Sequence, residues 1–258
     1  FVGKADPIKD FGAPRTASIQ KCFRTSDIDE VGDETHLTFF EMLGHFSFGD
    51  YFKKETIKWT YELLTEVYGI PKERIRATVF QGDDSVPADE ESFRAWSELL
   101  PQEKIGKGPR SGNFWGPAGS EGPCGAANEV YIDDIEIATL VFMEYYAHPN
   151  GQLTALPKKG VDVGWGLERL AMVVQGTPTI FETDLFAPIM RSIIEIIGDK
   201  PIHKIRIIAD HLKAATFLVG DGIEPSNTDR GYVLRRLIRR AMVMHYKFIG
   251  AGIDVSFY

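Results

Sequence analysis

Arg24 ends a short apolar stretch, Cys22-Phe23-Arg24, and an aromatic pair, Phe39-Phe40, opens the next one after a polar run from Thr25 to Thr35. From Ser18 to Asp50 the pattern is strand, charged loop, aromatic strand. A guanidinium offers a planar fork of donors to phosphate, and a phenyl ring offers a stacking face. Together they suit a phosphate chain attached to a flat base. The same segment fits an ordinary β-hairpin with a buried Phe pair. A second set is Val161-Asp162-Val163-Gly164-Trp165-Gly166-Leu167-Glu168-Arg169, a strand end that passes through two glycines into a helix. Its carboxylate at Asp162 and its cation at Arg169 are expected to point into one crevice, although Glu168-Arg169 also fits a solvent-exposed helix start. A third set is Arg235, Arg236, Arg239 and Arg240, two adjacent pairs one helical turn apart. They suit a polyanion or, equally, a solvated basic face.

The elements that must carry these residues follow from periodicity. The opening hairpin is succeeded by a helix over 51–68, with Asp50 as its cap and Gly69 after its end. Residues 75–80 alternate as a half-buried strand, and 88–100 reads as a helix with Phe93, Trp96 and Leu100 inward. The Gly- and Pro-rich stretch 106–128 reads as one long loop of the kind that is usually functional. Residues 129–132 and 135–146 read as strands around an Asp133-Asp134 turn. Leu140 to Met143 is apolar at consecutive positions, as in a central strand covered on both faces. A helix entered through Gly164-Trp165-Gly166 stops at Gly176. From Glu182 only helices follow, over 184–197, 203–219 and 230–249. The fold class is therefore α+β, a sheet-containing domain over 1–180 and an all-helical domain over 181–258.

A chain of 258 residues can bury one full core and a smaller second unit. It has no apolar run of membrane-spanning length and no signal-peptide pattern at Phe1. Opening mid-pattern on Phe1, it reads as a fragment lacking sequence upstream. Two cysteines, Cys22 and Cys124, exclude a four-cysteine metal site and make a reducing, cytoplasmic setting the expectation. The net charge of −8 argues against uniform attraction to nucleic acid. From His203 onward, however, nine Lys and Arg residues stand against five Asp and Glu, so a polyanion-facing region belongs there.

Three stretches together carry a resemblance. Cys22-Phe23-Arg24 with the segment from Thr38 to Phe52, Thr-Phe-Phe-Glu-Met-Leu-Gly-His-Phe-Ser-Phe-Gly-Asp-Tyr-Phe, resembles the second signature motif of the class II aminoacyl-tRNA synthetases, in the form of their alanine-specific branch. Asp162 to Arg169 looks like the third motif. Pro225-Ser226-Asn227-Thr228-Asp229-Arg230-Gly231-Tyr232-Val233-Leu234-Arg235-Arg236 resembles the helical tRNA-recognition region of the same branch.

The resemblance implies an antiparallel sheet of six or more strands flanked by helices. It also implies a two-step reaction: alanine and ATP give alanyl-adenylate and pyrophosphate, and the alanyl group then moves to the terminal ribose of tRNA. By the family pattern Arg24 holds the α-phosphate and the alanine carboxylate. Phe39 stacks on adenine with Arg169 on the other face, and Asp27 and Glu41 belong to the ATP site. Asp162 takes the amino group beside Gly164, and Trp115 and Val141 wall the small side-chain pocket, positions that core packing would equally explain. Glu129 and Glu136 are the candidate carriers of an ATP-bound Mg2+, since that cation prefers oxygen ligands; each equally fits a structural carboxylate. Asn227 reads a G·U pair in the acceptor stem and also fits a helix cap, while Arg235, Arg236, Arg239 and Arg240 meet phosphates.

A pocket for so small a side chain discriminates weakly, and the resemblance implies a separate editing domain that would carry zinc. None is expected here, because the six histidines form no His-x-x-x-His pair. Ala138-Thr139 stands where the branch usually carries Trp-Asn, and Gly125-Ala126-Ala127-Asn128-Glu129 replaces the usual Gly-Pro-Cys-Ser/Thr-Glu. These departures keep a second reading in view, a non-catalytic synthetase-like module that binds tRNA.

Overall fold

All the described strands fall between residues 15 and 166, and from there on the chain forms helices with a 3.6-residue period. The computed structural model describes residues 1–249 apart from Lys4, Asp27 and Asp199, with the backbone alone at 247–249. In chain order the elements are α1 (Pro7–Phe11), β1 (Arg15–Phe23), β2 (Phe39–Ser47), α2 (Lys53–Glu62), β3 (Ile75–Phe80), α3 (Glu90–Ser97), β4 (Ile105–Gly108), α4 (Arg110–Asn113), β5 (Phe114–Trp115), β6 (Gly122–Ile132), β7 (Ile135–Ala147), β8 (Leu153–Gly166), α5 (Leu167–Gln175), α6 (Ala187–Ile197), α7 (Ile202–Gly220) and α8 (Asp229–Ile249).

The chain divides into two compact units. One comprises Phe1–Gln20 with Met42–Gly166, the other Lys21–Glu41 with Leu167–Tyr258. The sequence changes character near residue 180, but the division into units is a different cut. The helical unit also takes α5 and the tip of the opening hairpin, because Phe39 and Ile28 pack with Ala214 and Leu237 in one buried cluster.

In the sheet unit the strand order is β1-β2-β8-β7-β6-β3-β4, with β5 paired to β6 off that path. The pairs β2–β8, β7–β8, β6–β7 and β3–β6 are antiparallel, whereas β3–β4 is parallel. The sheet is thus mixed and mostly antiparallel. Strand β7 lies at its middle, and Leu140, Val141, Phe142 and Met143 are all buried. Trp96 is fully buried and donates its indole N–H to Asn128 Oδ1 at 3.0 Å.

Two local expectations are corrected. Asp50 does not cap α2: Phe52 occupies the N-cap position and donates its N–H to Glu55 Oε2 at 3.3 Å, while Asp50 pairs with Arg15 at 2.5 Å. The stretch 106–128 is not one long loop. It contains the end of β4, all of α4 and β5, and the start of β6, leaving only a turn around the left-handed Gly116.

In the helical unit α8 buries Leu234, Leu237 and Ala241, a stripe with helical spacing, and α7 buries Ile205, Ile208, Ala209 and Ala214. No described helix is long and apolar enough to cross a membrane.

Candidate active site

In the sheet unit, strand register places the predicted amino-acid residues. Directly opposed residues of adjacent strands share a face. Ala127 is opposite Val141, Val141 opposite Asp162, and Asp162 opposite Phe46, forming one row across β6, β7, β8 and β2. The neighbouring row is Thr78, Glu129, Thr139, Gly164 and Gly44. Val141, Asp162, Gly164 and Glu129 are thus brought together on one face.

The glycines in this patch have a steric reason. A Cβ on Gly164 would stand 2.6 Å from Met42 Sδ, and one on Gly44 would stand 2.7 Å from the Phe46 ring. Small residues here let Met42 reach over Gly164 of the neighbouring strand and let the Phe46 ring lie over Gly44 of its own. Burial pushes the Asp162 carboxyl above its ordinary range. Val141 is 6% exposed and packs with Ala127, Met143 and Leu156. Trp115 lies in β5 opposite Gly125 and is 40% exposed, so it is a surface residue here.

Glu129 has a shell that the sequence did not announce. Its Oε2 accepts from Tyr131 OH at 2.7 Å and from Thr78 Oγ1 at 3.2 Å, and Asn113 Nδ2 donates to that same Thr78 oxygen at 2.8 Å. Glu136 Oε1 accepts from Thr139 Oγ1 at 3.0 Å. A strand period of two places Tyr131 on the Glu129 side, and that is the signal that would have found it. Among the described residues no group of three or more His, Cys, Asp or Glu is arranged to hold a metal ion.

The helical unit holds the residues expected to handle a nucleotide. Arg24 is exposed, its backbone N–H donates to Thr38 O at 2.8 Å, and its guanidinium carbon lies 5.3 Å from the centre of the Phe40 ring. Phe39 does not present a free stacking face. It is 3% exposed and stacks on Phe217, with centroids 4.2 Å apart and planes 12° from parallel. The half-buried ring beside Arg24 is Phe40. Successive strand residues point to opposite faces, so a shift of one residue exchanges a core ring for a presented one.

Glu41 donates its N–H to Glu168 at 3.2 Å, and Glu168 also takes an ion pair from Lys213 at 3.2 Å. Burial pushes the Glu168 carboxyl up, with Lys213 opposing. Arg169 is half-buried and its Nε lies 3.5 Å from Thr35 O. Asp27 lies outside the described residues.

On α8, Arg236 is exposed, and Arg235, Arg239 and Arg240 are half-buried. Arg235 donates to Asn227 Oδ1, and Arg240 Nη1 reaches Asp29 Oδ1 at 3.3 Å. The Asn227 carbonyl is therefore engaged by an arginine two turns along the helix.

The family model described as tRNA synthetases class II (A) matches residues 1–255. The chain belongs to that family. Among class II relatives, the alanine–tRNA ligase of Rubrobacter xylanophilus is 46% identical over 93% of this chain and 31% of its own length. That of Petrotoga mobilis is 44% identical over 94% of this chain and 30% of its own length. That of Treponema denticola is 44% identical over 94% of this chain and 45% of its own length. This chain thus spans less than half the length of each. A solved pyrrolysyl-tRNA synthetase from Desulfitobacterium hafniense covers 69% of this chain and 48% of its own at 15% identity, with a TM-score of 0.39, too loose a likeness to bear on the fold.

Proposed function

We propose that this chain is the aminoacylation core and part of the tRNA-recognition region of an alanine–tRNA ligase. Its reaction joins alanine to ATP as alanyl-adenylate, releasing pyrophosphate, and then passes the alanyl group to the 3′ end of tRNA. The observation that carries this reading is the row Ala127–Val141–Asp162–Phe46. A carboxylate set among small and apolar neighbours matches an ammonium with a methyl beside it. Identity of 44–46% to proteins named alanine–tRNA ligase, over most of this chain, supports the same amino acid.

In the first step the alanine carboxylate attacks the α-phosphorus, and no covalent bond to the enzyme is needed. What the protein supplies is orientation and stabilisation of developing charge. Arg24 donates to the α-phosphate and the alanine carboxylate. Phe40, rather than Phe39, offers its ring to adenine, Arg169 serves the nucleotide from the start of α5, and Asp27 and Glu41 keep their assignment to ATP. Asp162 holds the ammonium beside Gly164, and Trp115 and Val141 keep their assignment to the side-chain pocket.

Glu129 and Glu136 offer oxygen donors only, which fits a hard cation carried in on phosphates. They would hold Mg2+, which when bound neutralises phosphate charge. The charge asymmetry of the chain and the arginines of α8 support the tRNA acceptor stem as partner, with Arg235, Arg236, Arg239 and Arg240 on phosphates and Asn227 at a base pair. Cys22 and Cys124 are not joined in a disulfide, which suits the cytoplasm.

Alanine-dependent ATP–pyrophosphate exchange by the full-length protein, with glycine and serine as controls, tests the reading. Absence of exchange with every amino acid would sink it, and retained tRNA binding would then leave the non-catalytic module. Ammonium recognition needs Asp162 ionised. KM for alanine should therefore rise as the pH falls through the raised Asp162 pKa. Asp162→Asn should raise that KM about 10- to 100-fold, the scale of one hydrogen bond to a charged group, and flatten its pH profile. An unchanged KM in the variant would exclude Asp162 from the alanine site. Asn227→Ala should weaken discrimination between G·U and G·C acceptor stems on the order of tenfold. Charging assays on the two stems check it, and equal discrimination by both proteins would refute the assignment.

A further inference from the structure

Three residues on one stripe of α7 hold the start of β2. Asp210 accepts the Thr38 backbone N–H at 2.8 Å and the Thr38 hydroxyl at 2.5 Å. One turn on, Lys213 pairs with Glu168, which accepts the Glu41 N–H, and its Nζ lies 5.6 Å from the Phe39 ring centre. Two turns on, Phe217 stacks on Phe39. Positions 38, 39 and 41 are thus each fastened by α7, the last through Glu168. Phe40 stands between them with Arg24 beside it, and Arg24 hangs by its own N–H from the carbonyl of Thr38.

Asp210 is 1% exposed and Thr38 is fully buried. His211, also fully buried, brings Nδ1 to 2.8 Å from Asp210 Oδ2, while its Nε2 has no protein partner among the described residues. Burying a carboxylate and orphaning an imidazole nitrogen both cost stability, and an apolar core would avoid both. What this arrangement gains is a single fixed height for the strand that presents Phe40 and Arg24.

We infer that Asp210 is a positioning residue for the nucleotide, acting through Thr38 on Arg24 and Phe40. The inference rests on the nucleotide role proposed above for those two residues. It requires that loosening Thr38 weakens the handling of ATP more than that of alanine, whose ammonium and side chain are assigned to residues of the sheet unit.

The test uses the full-length protein. Thr38→Val keeps the shape of the side chain and removes the hydroxyl, and it should raise KM for ATP in alanine-dependent exchange about tenfold, with a smaller rise in KM for alanine. Thr38→Ser restores the hydroxyl and should restore KM for ATP. An unchanged KM for ATP, or an equal rise in both KM values, overturns the inference. Should Thr38→Val not fold, Asp210→Asn is read by the same ratio. If the wild-type protein shows no exchange with any amino acid, the synthetase reading has failed, and ATP binding by equilibrium dialysis then judges the positioning role alone. Equal ATP affinity in wild type and Thr38→Val would overturn it.

Discussion

Arg24→Ala is expected to lower kcat for alanine-dependent ATP–pyrophosphate exchange roughly 10²–10³-fold, the cost of removing one preorganised donor aimed at developing charge. The expectation follows from how the residue is held. Its backbone is tied to Thr38, its guanidinium lies against Phe40, and its side chain is exposed rather than spent inside the core. A cation held beside a ring at the protein surface is suited to meet a phosphate. In the proposed reaction charge builds on the α-phosphate as the alanine carboxylate attacks, so the loss should fall on kcat more than on KM for ATP. A rise in KM alone, with kcat intact, would mean that Arg24 binds the ground state and transition state equally. Arg24→Lys separates charge from geometry. An ammonium restores the charge but not the planar fork, so it should recover only part of the lost rate. Full activity in Arg24→Ala would remove this residue from the mechanism.

Much of the path to this site is legible in residue spacing, and the failures have identifiable physical causes. Helices α6, α7 and α8 follow from apolar stripes with a helical period, and the burial of Leu234, Leu237 and Ala241 shows why that signal is strong. The central place of β7 follows from four consecutive apolar residues. The choice between Phe39 and Phe40 cannot be made from the aromatic pair itself. It depends on Phe217, which arrives from α7 far along the chain and takes Phe39 into the core. Alternation along β2 supplies the only local hint, since Phe40 shares its parity with Met42, Gly44 and Phe46.

The stretch 106–128 misleads for a different reason. Its glycines look like loop punctuation, yet a Cβ on Gly125 would run into the carbonyl oxygen of Phe142 on the adjacent strand. That glycine marks close approach of β6 and β7, not freedom of the backbone. The cap of α2 fails similarly: Asp50 has the right chemistry, but Arg15 claims it and Glu55 takes the helix terminus. Residue types announce what chemistry is possible, while competition among distant partners decides which residue is left to perform it.

The largest stability effect is expected at Lys53. This lysine opens α2 and is only 4% exposed, with Nζ 2.8 Å from Asp89 Oδ1 and 2.6 Å from Glu144 Oε1. Asp89 also caps α3 through the Ser92 N–H and hydroxyl, and Glu144 lies on β7, the strand that carries Thr139 and Val141. One ammonium therefore ties two helix starts to the strand that carries the residues proposed to hold alanine.

Burial opposes the charge, but Asp89 and Glu144 outweigh it and the Lys53 pKa is raised. The sign follows from that. The contribution is fully present below the ordinary lysine pKa and is lost only as the pH climbs through the higher folded value, so it operates across the neutral range. Lys53→Met keeps most of the stem and removes the cation. It should lower the free energy of unfolding by about 3–5 kcal/mol, the scale for leaving buried partners uncompensated. The value should lie toward the lower end, because Asp89 keeps its bonds from Ser92 and Glu144 keeps Lys159 at 2.8 Å. Urea denaturation of both proteins at equal m-value measures it. The double variant Lys53→Met with Asp89→Asn should lose less than the sum of the two single losses, since one of the two carboxylates left by Lys53 is then neutral. A loss below about 1 kcal/mol in Lys53→Met would class the cluster with surface ion pairs and end the claim. Loosening β7 in this way should also raise KM for alanine while leaving KM for ATP near its wild-type value, the opposite split from Thr38→Val.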